Sequence, residues 1–166
     1  MNLKTLWAPW RLEYILSPPS TTCIFCEKPQ QQKDEENYIV YRSKYSYIIL
    51  NAYPYNSGHF MVVPYKHVEW LEQLTEAELR DLIETLIIGV RALKAEYKPD
   101  GLNIGINIGK AAGAGLEHLH IHVVPRWVGD TNYMPVLADT KVVSEHIREA
   151  YKRLKIAIER EARQKS

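Results

Sequence analysis

Three of the chain's six histidines, His118, His120 and His122, take every second position of "HLHIHVVP". In a β-strand successive side chains point to opposite faces, so these imidazoles share one face and Leu119, Ile121 and Val123 share the other. The apolar side is the natural core side, which leaves the imidazoles on an open face. Neutral imidazole can act as nucleophile, proton carrier or metal ligand near neutral pH. A ring nitrogen that attacks phosphorus forms a covalent phospho-histidine, which a second acceptor then resolves. The other ring nitrogen must be held by an acceptor, and a neighbour must give a hydrogen bond or proton to the leaving oxygen. A row of histidines can meet both needs. A single strand histidine is most simply a half-buried structural residue, but three on one face beside a glycine-rich loop point to chemistry.

That loop is "NIGKAAGAG", residues 107 to 115. Its glycines let backbone N–H groups turn toward non-bridging phosphate oxygens. It is not a Walker sequence and gains meaning only from the neighbouring histidines. The two cysteines, Cys23 and Cys26 in "CIFC", form the other reactive group. Such a pair can bind a metal, do thiol redox chemistry or stay idle. A closed zinc site needs four ligands, and the histidines at 59, 67, 118, 120, 122 and 146 are the candidates for the other two. A thioredoxin-like role would want the pair at a helix start after a strand of a parallel fold, and "SPPSTT" before it suggests no such unit.

The elements that must position these residues follow from pattern. "YIVYR", "YSYIILN" and "FMVVPY" read as strands, Pro64 placing the third near an end or edge. "AYPYNSGH" is a turn cluster between the second and third. Thr75 and Glu78 form a capping-box pattern. Leu79, Leu82, Ile83, Leu86, Val90 and Leu93 recur at helical spacing behind it, predicting a helix over about 75–97. "LNIGINI" and "HLHIHVVP" read as two more strands. A final helix is expected over about 141–163, within a C-terminal segment 141–166, with Val142, Ile147, Leu154 and Ile158 on one side. Residues 1–22 read as an irregular Trp- and Pro-rich arm, and "EKPQQQKDEEN" (27–37) as a polar loop. Strands, helix, strands, helix with short connections predict an α+β fold in one domain over 1–166.

The charge balance excludes some functions. With 21 basic and 20 acidic side chains, net +1, nothing favours wrapping nucleic acid or lying on an anionic membrane. No apolar run reaches the roughly 18–20 residues of a membrane span. The N-terminus lacks the order of a signal peptide, so an intracellular, cytoplasmic location is expected. A zinc-dependent nucleic-acid module is excluded by the neutral charge and the single cysteine pair.

Taken together, "CIFC", "LNAYPYNSGHFMVVPYKHV" and "NIGKAAGAGLEHLHIHVVPRW" resemble the histidine-triad (HIT) superfamily of nucleotidyl hydrolases and transferases, in the family's order, over roughly residues 20–130. The opening "LWAPWRLEYI", "LNAYPYNSGH" and Trp127 after "VVPR" look most like the branch containing diadenosine tetraphosphate phosphorylases and hydrolases. The resemblance implies a five-stranded antiparallel sheet with two main helices, dimerising into a continuous ten-stranded sheet. It implies that His120 is the nucleophile and carries the nucleoside monophosphate. His122 would assist at the bridging oxygen, and the His118 region would orient His120. By the same resemblance Asn51 contacts the ribose, and Asn107 with the backbone of Gly113, Ala114 and Gly115 binds phosphate. His59 lies near the pocket, and Trp127 can stack on a base. Members with C-x-x-C bind structural Zn²⁺ through residues that match Cys23, Cys26, His67 and His118.

One departure matters. Many relatives carry Gln then Ser or Thr where this chain has Ala114 and Gly115, so side-chain hydrogen bonds near the leaving group are absent. This weighs against adenosine 5′-phosphoramidase activity and leaves backbone donors with more of the phosphate. The expected reaction is cleavage of a dinucleoside polyphosphate at the α-phosphate through nucleotidyl-His120, with phosphate or water as acceptor. The alternatives are the phosphoramidase and a nucleotide-binding sensor without turnover, which would have no need of a nucleophile.

Overall fold

The structure, a computed structural model, describes residues 22–130 and 145–164. A short helix α1 (Ile24–Gln30) and one turn of helix α2 (Asp34–Asn37) precede the strands β1 (Ile39–Arg42), β2 (Ser46–Leu50) and β3 (Phe60–Pro64). Helix α3 (Glu76–Tyr97) leads to β4 (Gly101–Ile106) and β5 (Ile121–Arg126), and α4 (Ile147–Gln164) follows. The five strands form one sheet in the order β1-β2-β3-β5-β4, with every neighbouring pair antiparallel. The fold is α+β with a five-stranded antiparallel sheet, as expected.

Alternation of side chains divides the sheet between two cores. Val40, Ile48, Leu50, Phe60, Val62, Ile121 and Val123 face α3 and α4, where they meet Leu82, Leu93, Leu154 and Ile158. Ile39, Tyr47, Ile49, Met61 and Val63 face the other way, against Phe25 of α1. Strands β2 and β3 are therefore buried on both faces.

Helix α3 begins where the capping box placed it: the Thr75 N–H donates to Glu78 Oε2 at 2.7 Å, and the Glu78 N–H donates to Thr75 Oγ1 at 3.3 Å. Its middle lies so close to the sheet that a Cβ on Gly89 would stand 2.7 Å from Phe60 Cζ and 2.9 Å from Ile48 Cδ1. Glycine is the residue that permits this contact. Of the apolar residues read from helical spacing, Ile83 instead faces outward, 48% exposed, with Ile87 one turn on at 44%. Helix α4 lies on α3 and β1. It is tied to α3 by Arg153, which donates to Glu96 at 2.9 Å and to Glu145 at 2.7 Å, and by Tyr97 Oη, which donates to Glu145 at 2.7 Å.

Three expectations change. Residues 27–37 are not one loop but contain most of α1 and all of α2. A seven-residue helix with only Phe25 and Pro29 buried has no apolar periodicity to read. The last helix starts at Ile147; Glu145 and His146 precede it, and Val142 lies outside the described residues, as do residues 1–21 of the arm. Strand β5 starts at Ile121, because the Leu119 N–H donates to the Val68 carbonyl at 2.7 Å instead of joining the ladder. Among the described residues no helix is long and apolar enough to cross a membrane.

Candidate active site and metal centre

The histidine row lies on the sheet face opposite the main core, as alternation required: Leu119, Ile121 and Val123 enter that core. The row is not open, however. His118 and His120 are 2% and 6% exposed. The cover is α1, whose Phe25 ring sits 5.6 Å from His118 and 5.1 Å from His120 between ring centroids. Phe25, inside "CIFC", is a site residue that sequence reasoning missed. An apolar residue between two cysteines reads only as local packing.

Hydrogen bonds fix which nitrogen of each ring carries the proton. His120 Nδ1 lies 2.7 Å from the His118 backbone oxygen, which can only accept, so Nδ1 is the protonated nitrogen and Nε2 keeps its lone pair. The Tyr55 N–H donates to His59 Nδ1 at 3.1 Å, so the His59 proton is on Nε2. That Nε2 lies 3.0 Å from His122 Nδ1 and donates to it. His122 must therefore carry its own proton on Nε2. The row thus offers a bare nitrogen on His120 and an N–H on His122, with ring centroids 4.7 Å apart.

Burial keeps these rings neutral. Desolvation, with the neighbouring rings of His122 and His120, lowers His59 from 6.5 to about 3. Desolvation and then His120 lower His122 to about 4. Desolvation also pushes His120 below its ordinary value, partly opposed by its bond to the His118 carbonyl. At neutral pH all are uncharged, the form a nitrogen nucleophile requires.

His118 has a different task. Its Nε2–H donates to the Pro64 carbonyl at 2.9 Å, leaving the Nδ1 lone pair facing the cysteines. Nδ1 is 3.3 Å from Cys23 Sγ, 3.6 Å from Cys26 Sγ and 3.2 Å from His67 Nδ1, and Cys26 Sγ is 3.4 Å from that His67 nitrogen. All four ligand atoms lie within 4.8 Å of one another. Bonds of about 2.0–2.3 Å to a tetrahedral zinc separate ligand atoms by about 3.3–3.8 Å, so this set fits the corners of such a site. Burial and the nearby Cys23 raise the Cys26 thiol. The four residues can hold a metal ion, and they leave no fifth protein position open.

The remaining site residues stand at the β2–β3 turn, in the glycine loop and at the exit of β5. Asn51 closes the β2–β3 turn: its N–H donates to the His59 carbonyl at 3.1 Å, and its Oδ1 accepts the Tyr53 N–H at 2.9 Å. Gly58, at φ +79°, turns the chain back so closely that a Cβ would meet Leu93 at 3.1 Å and Tyr97 at 3.2 Å. Asn107 stands one residue beyond the Ile106–Ile121 pair, and its Nδ2 is 3.9 Å from where a Gly113 Cβ would lie. In the glycine loop the Gly113 N–H donates to the Lys110 carbonyl at 3.0 Å and the Ala114 N–H to the Gly109 carbonyl at 3.3 Å. These two donors are held internally, and a phosphate would have to share or displace those bonds. Trp127 leaves β5 half-buried. Tyr55, 58% exposed and stacked on His59 at 4.9 Å, borders the row and was not singled out in the sequence.

Comparison with known proteins agrees with this geometry. The HIT domain family model matches residues 32–128. A Mycobacterium tuberculosis protein named AP-4-A phosphorylase is 42% identical over 158 residues, covering 89% of this chain and 80% of its own. The fold matches a histidine triad nucleotide-binding protein from Sulfolobus tokodaii with a TM-score of 0.67 at 32% identity, covering 86% of this chain and 93% of that one. It also matches a zinc-bound histidine triad family protein from Mycobacterium smegmatis, TM-score 0.70 at 26% identity, over 86% and 97% of the two chains. The chain belongs to the HIT family.

Proposed function

We propose that this protein cleaves a dinucleoside polyphosphate, with diadenosine tetraphosphate as the first candidate, through a nucleotidyl-His120 intermediate. The observation that carries the reading is the pair of fixed tautomers: a bare Nε2 on His120 beside an N–H on His122. His120 Nε2 attacks the α-phosphorus, forming a P–N bond as the bridging P–O bond breaks. His122 Nε2–H donates to the departing bridging oxygen. An acceptor oxygen, from phosphate or water, then forms a new P–O bond as the P–N bond breaks, restoring the His120 lone pair. As the imidazole takes up the nucleotidyl group it gains positive charge, and the His118 carbonyl on Nδ1–H stabilises that charge. Asn107 and the Gly113–Gly115 backbone bind phosphate in this reading, Asn51 the ribose and Trp127 a base.

The metal of Cys23, Cys26, His67 and His118 is read as structural zinc. Two thiolate and two imidazole ligands suit it, and its chemistry there is to hold residues, not to activate water. The thiol pair also suits a reducing, cytoplasmic setting. Among the described residues β4 ends the sheet with no strand on its outer side and Ile104 is 48% exposed, which supports pairing with a second copy into a ten-stranded sheet. We read the whole chain as one functional unit.

Product analysis tests the reaction. Diadenosine tetraphosphate is incubated with the protein, with and without inorganic phosphate. ADP plus ATP formed only with phosphate identifies a phosphorylase, and AMP plus ATP without it a hydrolase. No cleavage in either condition rejects the reading and directs the search to phosphoramidates.

A further inference from the structure

The β2–β3 turn contains a buried amide, and neither the histidine row nor the metal cluster accounts for it. Asn56 is 5% exposed. Its Nδ2 donates to the Pro125 carbonyl and to Asp130 Oδ2, both at 2.8 Å. Both contacts are acceptors, so the amide orientation is determined: a flipped Asn56 would press its oxygen against two oxygens. Pro125 lies in β5, three residues beyond His122. The Asp130 carboxylate, 8% exposed, also accepts Arg126 Nε–H at 2.6 Å, Arg126 Nη2–H at 2.8 Å and the Trp127 N–H at 3.2 Å. A buried carboxylate needs such partners to stay ionised. Together they form a polar bolt through the turn and the end of β5.

The same turn sets the His59 tautomer. The Asn56 carbonyl accepts the His59 N–H at 3.1 Å, and Tyr55 supplies the N–H that occupies His59 Nδ1. Its backbone thus orders His59 while its side chain fixes the turn to the strand that carries His122. The turn also meets His122 of β5 through the His59 bond at 3.0 Å and through the Tyr55 ring, whose centroid is 6.1 Å from that of His122. The bolt adds a side-chain tie between the turn and β5 to the ladder that begins at Phe60 and Val123.

We infer that Asn56, seated on Asp130, is a positioning residue that holds His59 against His122 and so keeps His122 as an Nε2–H donor. This rests on the proposed role of His122 at the leaving oxygen. Because Asp130 also accepts the Trp127 N–H, one hydrogen-bonded unit sets both the donor and the strand exit bearing the aromatic side chain.

The test reads the tautomer directly. Wild type, Asn56→Ala and Asp130→Asn are labelled with ¹⁵N-histidine, and long-range imidazole correlations are recorded at pH 7.5, beside kcat and KM for diadenosine tetraphosphate. Wild-type His122 is expected as a single Nε2–H tautomer. Both variants are expected to show mixed tautomers at His122, with kcat lower by about tenfold or more and KM within about threefold. Asp130→Asn preserves the shape of the bolt and keeps the test usable if Asn56→Ala does not fold. A single Nε2–H tautomer in a folded variant, or mixed tautomers with undiminished kcat, overturns the inference and leaves Asn56 a staple of stability. If wild type cleaves no substrate, the tautomer measurement still decides the geometry, so the two readings fail separately.

Discussion

His118 serves two neighbours at once: its backbone oxygen accepts Nδ1–H of His120 at 2.7 Å, and its own Nδ1 faces Cys23 Sγ at 3.3 Å. One residue joins the four-residue cluster that could hold a metal to His120, the proposed nucleophile. The ring is held at both ends, by Pro64 on Nε2 and by the cluster on Nδ1, and the peptide that orients His120 is anchored through it.

Removing a thiol should therefore be felt at the nucleophile. Cys23→Ser is expected to lower zinc content per chain to well below one equivalent, to lower Tm, and to reduce kcat by about tenfold or more. In the proposed zinc site, metal-binding energy would be folding energy, and its loss would free His118. Elemental analysis, thermal melts and turnover on one preparation check all three. Full zinc retention would refute the ligand assignment.

His120→Ala should abolish turnover, by at least about a thousandfold, since no other group supplies the attacking nitrogen. Its burial beneath Phe25 adds a second effect: Tm should fall by the equivalent of about 1–3 kcal/mol, the usual result of emptying a packed site. Denaturant unfolding together with trapping of radiolabelled nucleotide on the protein distinguishes the chemical loss from the structural one.

Acid should destabilise the protein through the histidine row. In the unfolded chain His59 and His122 take up protons near 6.5, but in the folded protein only near 3 and 4. The unfolded chain therefore binds more protons between those values, and stability falls as pH drops from about 6.5 toward 4. Above 6.5 these two groups contribute no slope. Thermal melts from pH 7.5 to 4.5 check this, and His59→Gln should show a visibly shallower acid decline than wild type.

Gly89→Val should destabilise by about 1–3 kcal/mol or prevent folding, because its side chain would overlap Phe60 and Ile48. A chemical denaturation midpoint equal to wild type would show that α3 can lift from the sheet without loss.

The long elements were legible because their patterns are strong. Thr75 and Glu78 marked the start of α3, and Leu119, Ile121 and Val123 showed which way the histidines face. What escaped notice depends on contacts between distant residues. Phe25 covers His120 from far away in the chain, Asn56 meets Asp130 across 74 positions, and the short helix α1 owes its form to the buried Phe25 and Pro29, not to its own periodicity. The tautomers were also out of reach, since each depends on a backbone group that only the folded turn supplies.

The strand order gives the site a timing. Among the described residues β5 is the last strand in the chain, yet it enters the sheet between β3 and β4, both made earlier. A nascent chain that stops short of the closing segment has made β3 and β4 but neither the strand that stands between them nor any of His118, His120 and His122. The three imidazoles and the strand that completes the sheet are delivered together.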